Sequence, residues 1–272
     1  MRIFSSLILA AAFSQAAVAA PDVVPLELVS GIPFVDITVG AASSRVMFNS
    51  RARLGVSLPA TVIAAAGSVK VTDERKKFQD FQGQAYEVPI IVAERLIVGS
   101  TLLAPVRGQV HARSAGAAEG SDLELARARE GGAIGLEAFT NFPLMFDYKR
   151  RTMSILEPEA AAQLGLPEWR TLDLQYGSEG PLVTLTAEGK HLKFLLDTGS
   201  QLNLLKHGVA CNTSLACELR DLSGRLNFDM KIHRIKLDGA AFDGILGAPF
   251  FRSHRVVFDV KGRKLHLAPN LP

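Results

Sequence analysis

Two stretches of this chain repeat others at fixed spacings, and an internal repeat constrains a fold more tightly than any single predicted element. Shifted by 112 residues, Gly132–Ile155, "GAIGLEAFTNFPLMFDYKRRTMSI", lies on Gly244–Leu267, "GILGAPFFRSHRVVFDVKGRKLHL", without a gap. Gly132/Gly244, Gly135/Gly247, Phe139/Phe251, Phe146/Phe258, Asp147/Asp259, Lys149/Lys261 and Arg151/Arg263 are identical pairs. Shifted by 148, "IPFVDITVGAASSRVMFNSRARL" from Ile32 lies on "GPLVTLTAEGKHLKFLLDTGSQL" from Gly180, with Pro33/Pro181, Val35/Val183, Thr38/Thr186 and Leu54/Leu202 identical. The chain therefore reads as two related units, residues 25–157 and 171–270. The joint between them, 158–170, contains helix formers closed by Gly165 and Pro167. The two shifts differ by 36, which places 36 extra residues in the first unit between Leu54 and Gly132.

Within each unit the apolar period is that of strands. "PLVTLTAEGKHLKFLLD" alternates on both sides of Glu188-Gly189-Lys190, and "HRVVFDVKGRKLHLAP" does so around Lys261-Gly262, both hairpin signatures. Helical candidates are few, "LPATVIAAAG" and "SDLELARARE" being the best. An all-β protein of two barrel-like units follows. With 272 residues, 48% of them apolar, the chain has material for a sizeable core. The net charge of +3 comes from interspersed Lys, Arg, Asp and Glu, so no nucleic-acid partner is indicated. His111, His191, His207, His233, His254 and His266 are scattered without metal-ligand spacing, and neither a metal nor a cofactor is expected.

At the N-terminus, Met1 and Arg2 precede an apolar run from Ile3 to Phe13, and Ala17-Val18-Ala19 supplies small residues at −3 and −1. This is the pattern of a secretory signal, residues 1–19, cleaved before Ala20. The run is shorter than the roughly 20 residues of a bilayer span, so no stable membrane span is expected after cleavage, and a periplasmic or secreted protein is. Cys211 and Cys217, six apart in an exported chain, read as a disulfide clipping a local loop. Asn212-Thr213-Ser214 is formally a glycosylation acceptor.

The chemistry concentrates in "KFLLDTGSQLNLL". Phe194-Leu195-Leu196 is an apolar strand that delivers Asp197 to a turn; Gly199 permits a tight backbone there, and Thr198 and Ser200 supply hydroxyls. "DGILG" follows, with Ile245 and Leu246 preceding Gly247. "FLLDTGS", then "DGILG", then "VVFDVKGRKLHL" resembles the retropepsin-like and pepsin-like aspartic protease superfamily, bacterial exported retropepsin-like proteins most of all. The resemblance covers most of Gly180–Pro269 and reaches the first unit only through the repeat. It implies a bilobal, pseudo-twofold pair of acid-protease barrels and hydrolysis of a peptide or protein substrate by carboxylate-activated water, with Asp197 as catalytic acid/base. In that superfamily each half supplies one Asp, and the two share a proton so that one acts as base while the other acts as acid.

The 148 shift places Asn49 on Asp197, Ser50 on Thr198 and Arg51 on Gly199. Asn49 has no acidic proton, and Arg51 is expected to fit poorly in a loop built for glycine. The first unit thus reads as a degenerate lobe. Two functions remain open: an aspartic endopeptidase, in which a homodimer would bring two copies of Asp197 together, and a protease-derived protein that holds an extended peptide or protein partner between its lobes without cutting it. Asp243, Asp147 and Asp259 are expected to orient turns, and Tyr86, in the inserted segment, to be an aromatic on a sheet rather than part of a flap hairpin over a cleft.

Overall fold

A computed structural model of the chain describes residues 20–79, 85–103, 105–111, 122–162, 169–177, 179–209, 211, 216–224, 226–237 and 239–270. The signal-like segment, the side chain of Tyr86, the Gly165/Pro167 stop and the triplet Asn212–Ser214 lie outside the described residues.

The repeat spacings recur in the elements. Strands Asp22–Pro25, Glu27–Val29, Ile32–Val39, Ala42–Phe48 and Val56–Leu58 of the first half stand 148 residues before Arg170–Asp173, Gln175–Gly177, Gly180–Ala187, Lys190–Leu196 and Leu204–Lys206 of the second. Each half folds its strands into a sheet of its own, ten in the first lobe and eight in the second. The hairpins behave as their turn residues demand. Ala187 pairs with Lys190 across Glu188 and Gly189, both at positive φ (48° and 74°), the two-residue turn whose twist matches the strands it joins.

Neither lobe closes without the other, a feature the strand periodicity did not reveal. Six strands form one sheet shared by both halves, in the order Asp22–Pro25, Thr152–Ile155, Leu144–Asp147, His254–Asp259, Lys264–Pro269, Arg170–Asp173. At its centre Leu144 pairs with Phe258, Met145 with Val257 and Phe146 with Val256. Met145 and Val257 are 112 apart, so each strand meets its own counterpart, and a pseudo-twofold axis runs between them. On one face of this sheet Phe146 meets Phe258 edge to face, with centroids 5.9 Å apart, and meets Phe48 at 4.7 Å. On the other, Leu156, Trp169, Val257 and Ala268 pack together against Met145 and Ala160 of the helix Pro158–Ala162, so the linker closes the back of the sheet.

Two described elements mark the segment between Leu54 and Gly132, which holds the extra residues of the first lobe. One is the hairpin Val69–Gln79/Ala85–Ala93, which lies against the outer edge of Val106–Val110. The other is the helix Leu123–Arg129, capped by the Asp122 carboxylate accepting from the backbone N–H groups of Glu124 and Leu125. At seven residues this helix is too short to be stable alone. Leu125 anchors it against Val29, Ile32 and Phe34, the place that Phe242 fills against Leu182 and Leu195 in the second lobe.

Replacing Phe146 by Ala removes a fully buried ring at the lobe junction and should cost about 3–5 kcal/mol, read as a lowered urea midpoint. A second expectation concerns pH. Burial, opposed by a hydrogen bond with the Phe250 carbonyl, lowers the His254 pKa from its ordinary value of 6.5. The folded state therefore keeps His254 neutral where the unfolded chain takes up a proton, and stability should fall as pH drops below about 6.5. His254→Asn should flatten that slope in pH-dependent urea melts.

Candidate active site

Each candidate loop follows a strand whose last residue, Phe48 or Leu196, is buried, and is held from below by a second strand. Lys190–Leu196 runs parallel to Gly244–Leu246, and the Asp197 N–H donates to the Leu246 carbonyl at 3.0 Å. In the first lobe Ala42–Phe48 runs parallel to Ala133–Ile134, and the Asn49 N–H donates to the Ile134 carbonyl at 2.9 Å. Ile245, Leu246 and Gly247 thus form the floor of the Asp197 loop. A Cβ at Gly247 would fall 2.3 Å from the Leu202 carbonyl and 2.6 Å from that of Ser200, so the close approach of two backbones requires glycine there.

The two loops meet through reciprocal hydrogen bonds related by the 148 shift. Thr198 Oγ1 donates to the Phe48 carbonyl at 2.8 Å and accepts from the Ser50 N–H at 3.0 Å. Ser50 Oγ donates to the Leu196 carbonyl at 2.7 Å and accepts from the Thr198 N–H at 3.0 Å. Ser50 and Thr198 are 1% and 0% exposed, so every one of these bonds is made away from water.

Asn49 and Asp197 occupy twofold-related positions and are held in the same way. The Gly199 N–H donates to Asp197 Oδ1 at 2.9 Å, and the Arg51 N–H donates to Asn49 Oδ1 at 2.9 Å. The expectation that Arg51 would fit poorly is overturned, because neither Gly199 nor Arg51 has a positive φ. At position 199 the crowding is with the carboxylate itself: a Cβ there would lie 3.2 Å from Asp197 Oδ1. The Arg51 side chain leaves the loop and crosses to the other lobe. Its Nη1 is 3.2 Å from Asp197 Oδ2, its Nε donates to the Glu179 carbonyl at 3.5 Å, and its Nη2 is 3.8 Å from the Glu179 carboxylate. The Asp197 side chain is 9% exposed and that of Arg51 21%, an ion pair at the border of solvent.

Sequence reasoning missed a second arginine. Arg129, at the end of the helix Leu123–Arg129, donates from Nη2 to the Gly199 carbonyl at 3.3 Å. Its reach depends on how Leu125 docks the helix, which no local pattern encodes.

The remaining candidates serve the scaffold. Asp243 Oδ2 accepts from the Lys193 N–H at 2.8 Å, tying the turn before Gly244 to the Asp197 strand. Asp147 and Asp259 each accept from the backbone N–H three residues on, Arg150 at 3.0 Å and Gly262 at 2.8 Å, and so shape their hairpins. Ser200 Oγ donates to the Leu202 carbonyl. Cys211 and Cys217 are disulfide-bonded, with Cα atoms 5.1 Å apart. Tyr148, buried and stacked on Phe251, has its phenol pKa raised by burial first and by the charge of Asp197 second.

Among solved structures, this chain is similar to a crystal structure of an aspartic proteinase from Irpex lacteus, with a TM-score of 0.62 over 92% of this chain and 98% of that one, at 12% identity. A scan of family models and a search of curated proteins return no match. The similarity is one of architecture: the protein has the all-β, bilobal fold of an aspartic proteinase.

Ser50→Ala leaves the buried Thr198 N–H and Leu196 carbonyl without their partner and should cost about 1–3 kcal/mol for each group, read by chemical denaturation. Ser50→Thr, which installs the hydroxyl residue of the other lobe, should be far milder.

Proposed function

We propose that this protein is an aspartic-type peptidase acting on an extended polypeptide segment laid across the lobe junction, with Asp197 as its acid–base group. One observation carries the reading. Asp197 stands at the twofold-related loop position, carried by a buried strand, fixed by the Gly199 N–H and braced across the lobes by the Ser50/Thr198 bonds, within the fold of an aspartic proteinase. Placement to this degree is what general acid–base catalysis requires of a carboxylate. Strand-lined surfaces suit extended segments, whose backbone groups can pair with them.

The first lobe already occupies the face that a second copy of the Asp197 lobe would need, since the central sheet joins the two within one chain. A single chain is therefore the working unit of this proposal. The disulfide and the signal-like N-terminus support an exported, periplasmic or secreted enzyme of retropepsin-like descent.

A second reading is favoured by Asn49, which cannot supply the second acid: the junction holds a polypeptide without cutting it. Digestion of a peptide library across pH 3–8, followed by mass spectrometry, separates the two. The peptidase reading expects cleavage by the protein and none by Asp197→Asn. Absence of cleavage at every pH, with library peptides retained by both proteins, would sink it in favour of the second reading.

A further inference from the structure

We propose that Arg51 is the electrophile of this site, its guanidinium polarising the scissile carbonyl in place of the second carboxylic acid. The inference rests on the peptidase reading above and extends it to a residue that the pattern of the repeat marks only as a misfit.

Three features of the site lead there. Arg51 stands at the twofold counterpart of Gly199, where the other lobe has no side chain, so its guanidinium is an addition to the two-loop plan. It reaches the base directly, with Nη1 3.2 Å from Asp197 Oδ2. It is held there from the second lobe by Glu179, through the carbonyl at 3.5 Å and the carboxylate at 3.8 Å. A guanidinium carries five N–H donors in a rigid fork, so the same group can hold a carboxylate and present a donor to a carbonyl oxygen beside it.

The chemistry needs such a donor. With Asn49 opposite Asp197, the first loop offers an amide N–H but no acidic proton to transfer to the carbonyl. A fixed cation stabilises the developing oxyanion without transferring a proton. The steps then balance with one carboxylate. Asp197 takes a proton from water as the water oxygen bonds to the carbonyl carbon, and the carbonyl electron pair moves to oxygen, where Arg51 holds the charge. The pair returns to re-form C=O, the C–N bond breaks with its electrons going to nitrogen, and the nitrogen takes the proton from Asp197. One peptide bond and one water become an acid and an amine, and Asp197 is again ionised.

Asp197 is faced by Arg51 on its own junction, by Glu179 behind Arg51, by Arg129 at the neighbouring Gly199 carbonyl, and by the buried phenol of Tyr148. The one carboxyl among these, Glu179, pairs with Arg51 rather than with Asp197. The pH profile should therefore lack the fall on the alkaline side that loss of a shared proton produces.

The test is steady-state cleavage of one library-derived peptide from pH 3 to 8. Arg51→Met should lower kcat by roughly 100-fold or more while KM moves less than threefold, and Arg51→Lys should retain an intermediate kcat. Asn49→Asp/Arg51→Gly, which gives the first loop the acid and the glycine of the second, should convert the profile to a bell with an acidic optimum. Cleavage that needs Asp197 yet survives Arg51→Met with unchanged kcat and profile overturns the inference and leaves the peptidase reading standing. A loss in KM alone also overturns it, by making Arg51 a binding group. If Arg51→Met does not fold, a flat pH profile in Arg51→Lys with reduced kcat supports the inference and a wild-type kcat refutes it. No cleavage by the wild-type protein removes both.

Discussion

The reciprocal bonds of Ser50 and Thr198 are the interaction on which the rest of this structure depends. Each hydroxyl crosses to the other lobe, donates to a carbonyl there and accepts an N–H in return, so four buried backbone groups at two irregular loops are satisfied at once. Loops that leave strands in the interior carry backbone groups that must find partners. Here each lobe supplies the partners of the other, which ties the position of Asp197 to the position of Asn49. The central sheet does the same at larger scale, with Met145 opposite its own counterpart Val257. Two lobes fixed in this way cannot drift apart without exposing both the sheet and the loops.

This arrangement explains how the first loop holds the geometry of the second with asparagine in place of aspartate. The structural duties of the loop fall on a hydroxyl at position 50, an N–H at position 51 and a side-chain oxygen at position 49. Serine, arginine and asparagine supply all three. None of the three needs a carboxylic proton. The reactive duty alone depends on the acid, and it can be lost while every hydrogen bond remains.

The residues that repeat were legible in the sequence, and so was most of the architecture they imply: the paired hairpins, the apolar strand ending in Gly247, the disulfide, and the correspondence of Asn49 with Asp197. What was not legible has a common physical character. The shared six-stranded sheet forms from segments more than 100 residues apart, and strand periodicity reports a buried face without naming what covers it. Arg51 looked like a defect because glycine was assumed to serve backbone conformation. The loop in fact needs no positive φ, and a Cβ at the glycine of the second lobe would crowd the Asp197 carboxylate. Arg129 lies outside the two matching blocks of the repeat, and its contact with Gly199 follows from tertiary docking.

Both arginines that approach the Asp197 loop come from the lobe that lacks the acid. Two facing carboxylates repel, and sites built from them work only in the pH range where a proton is shared between the pair. Exchanging one carboxylate for an amide removes the repulsion, and placing a guanidinium against the other compensates a charge that is mostly withdrawn from water. The departures of the first loop from the pattern of the second therefore converge on one group, the Asp197 carboxylate, which Arg51 pairs with directly and Arg129 approaches through the Gly199 carbonyl.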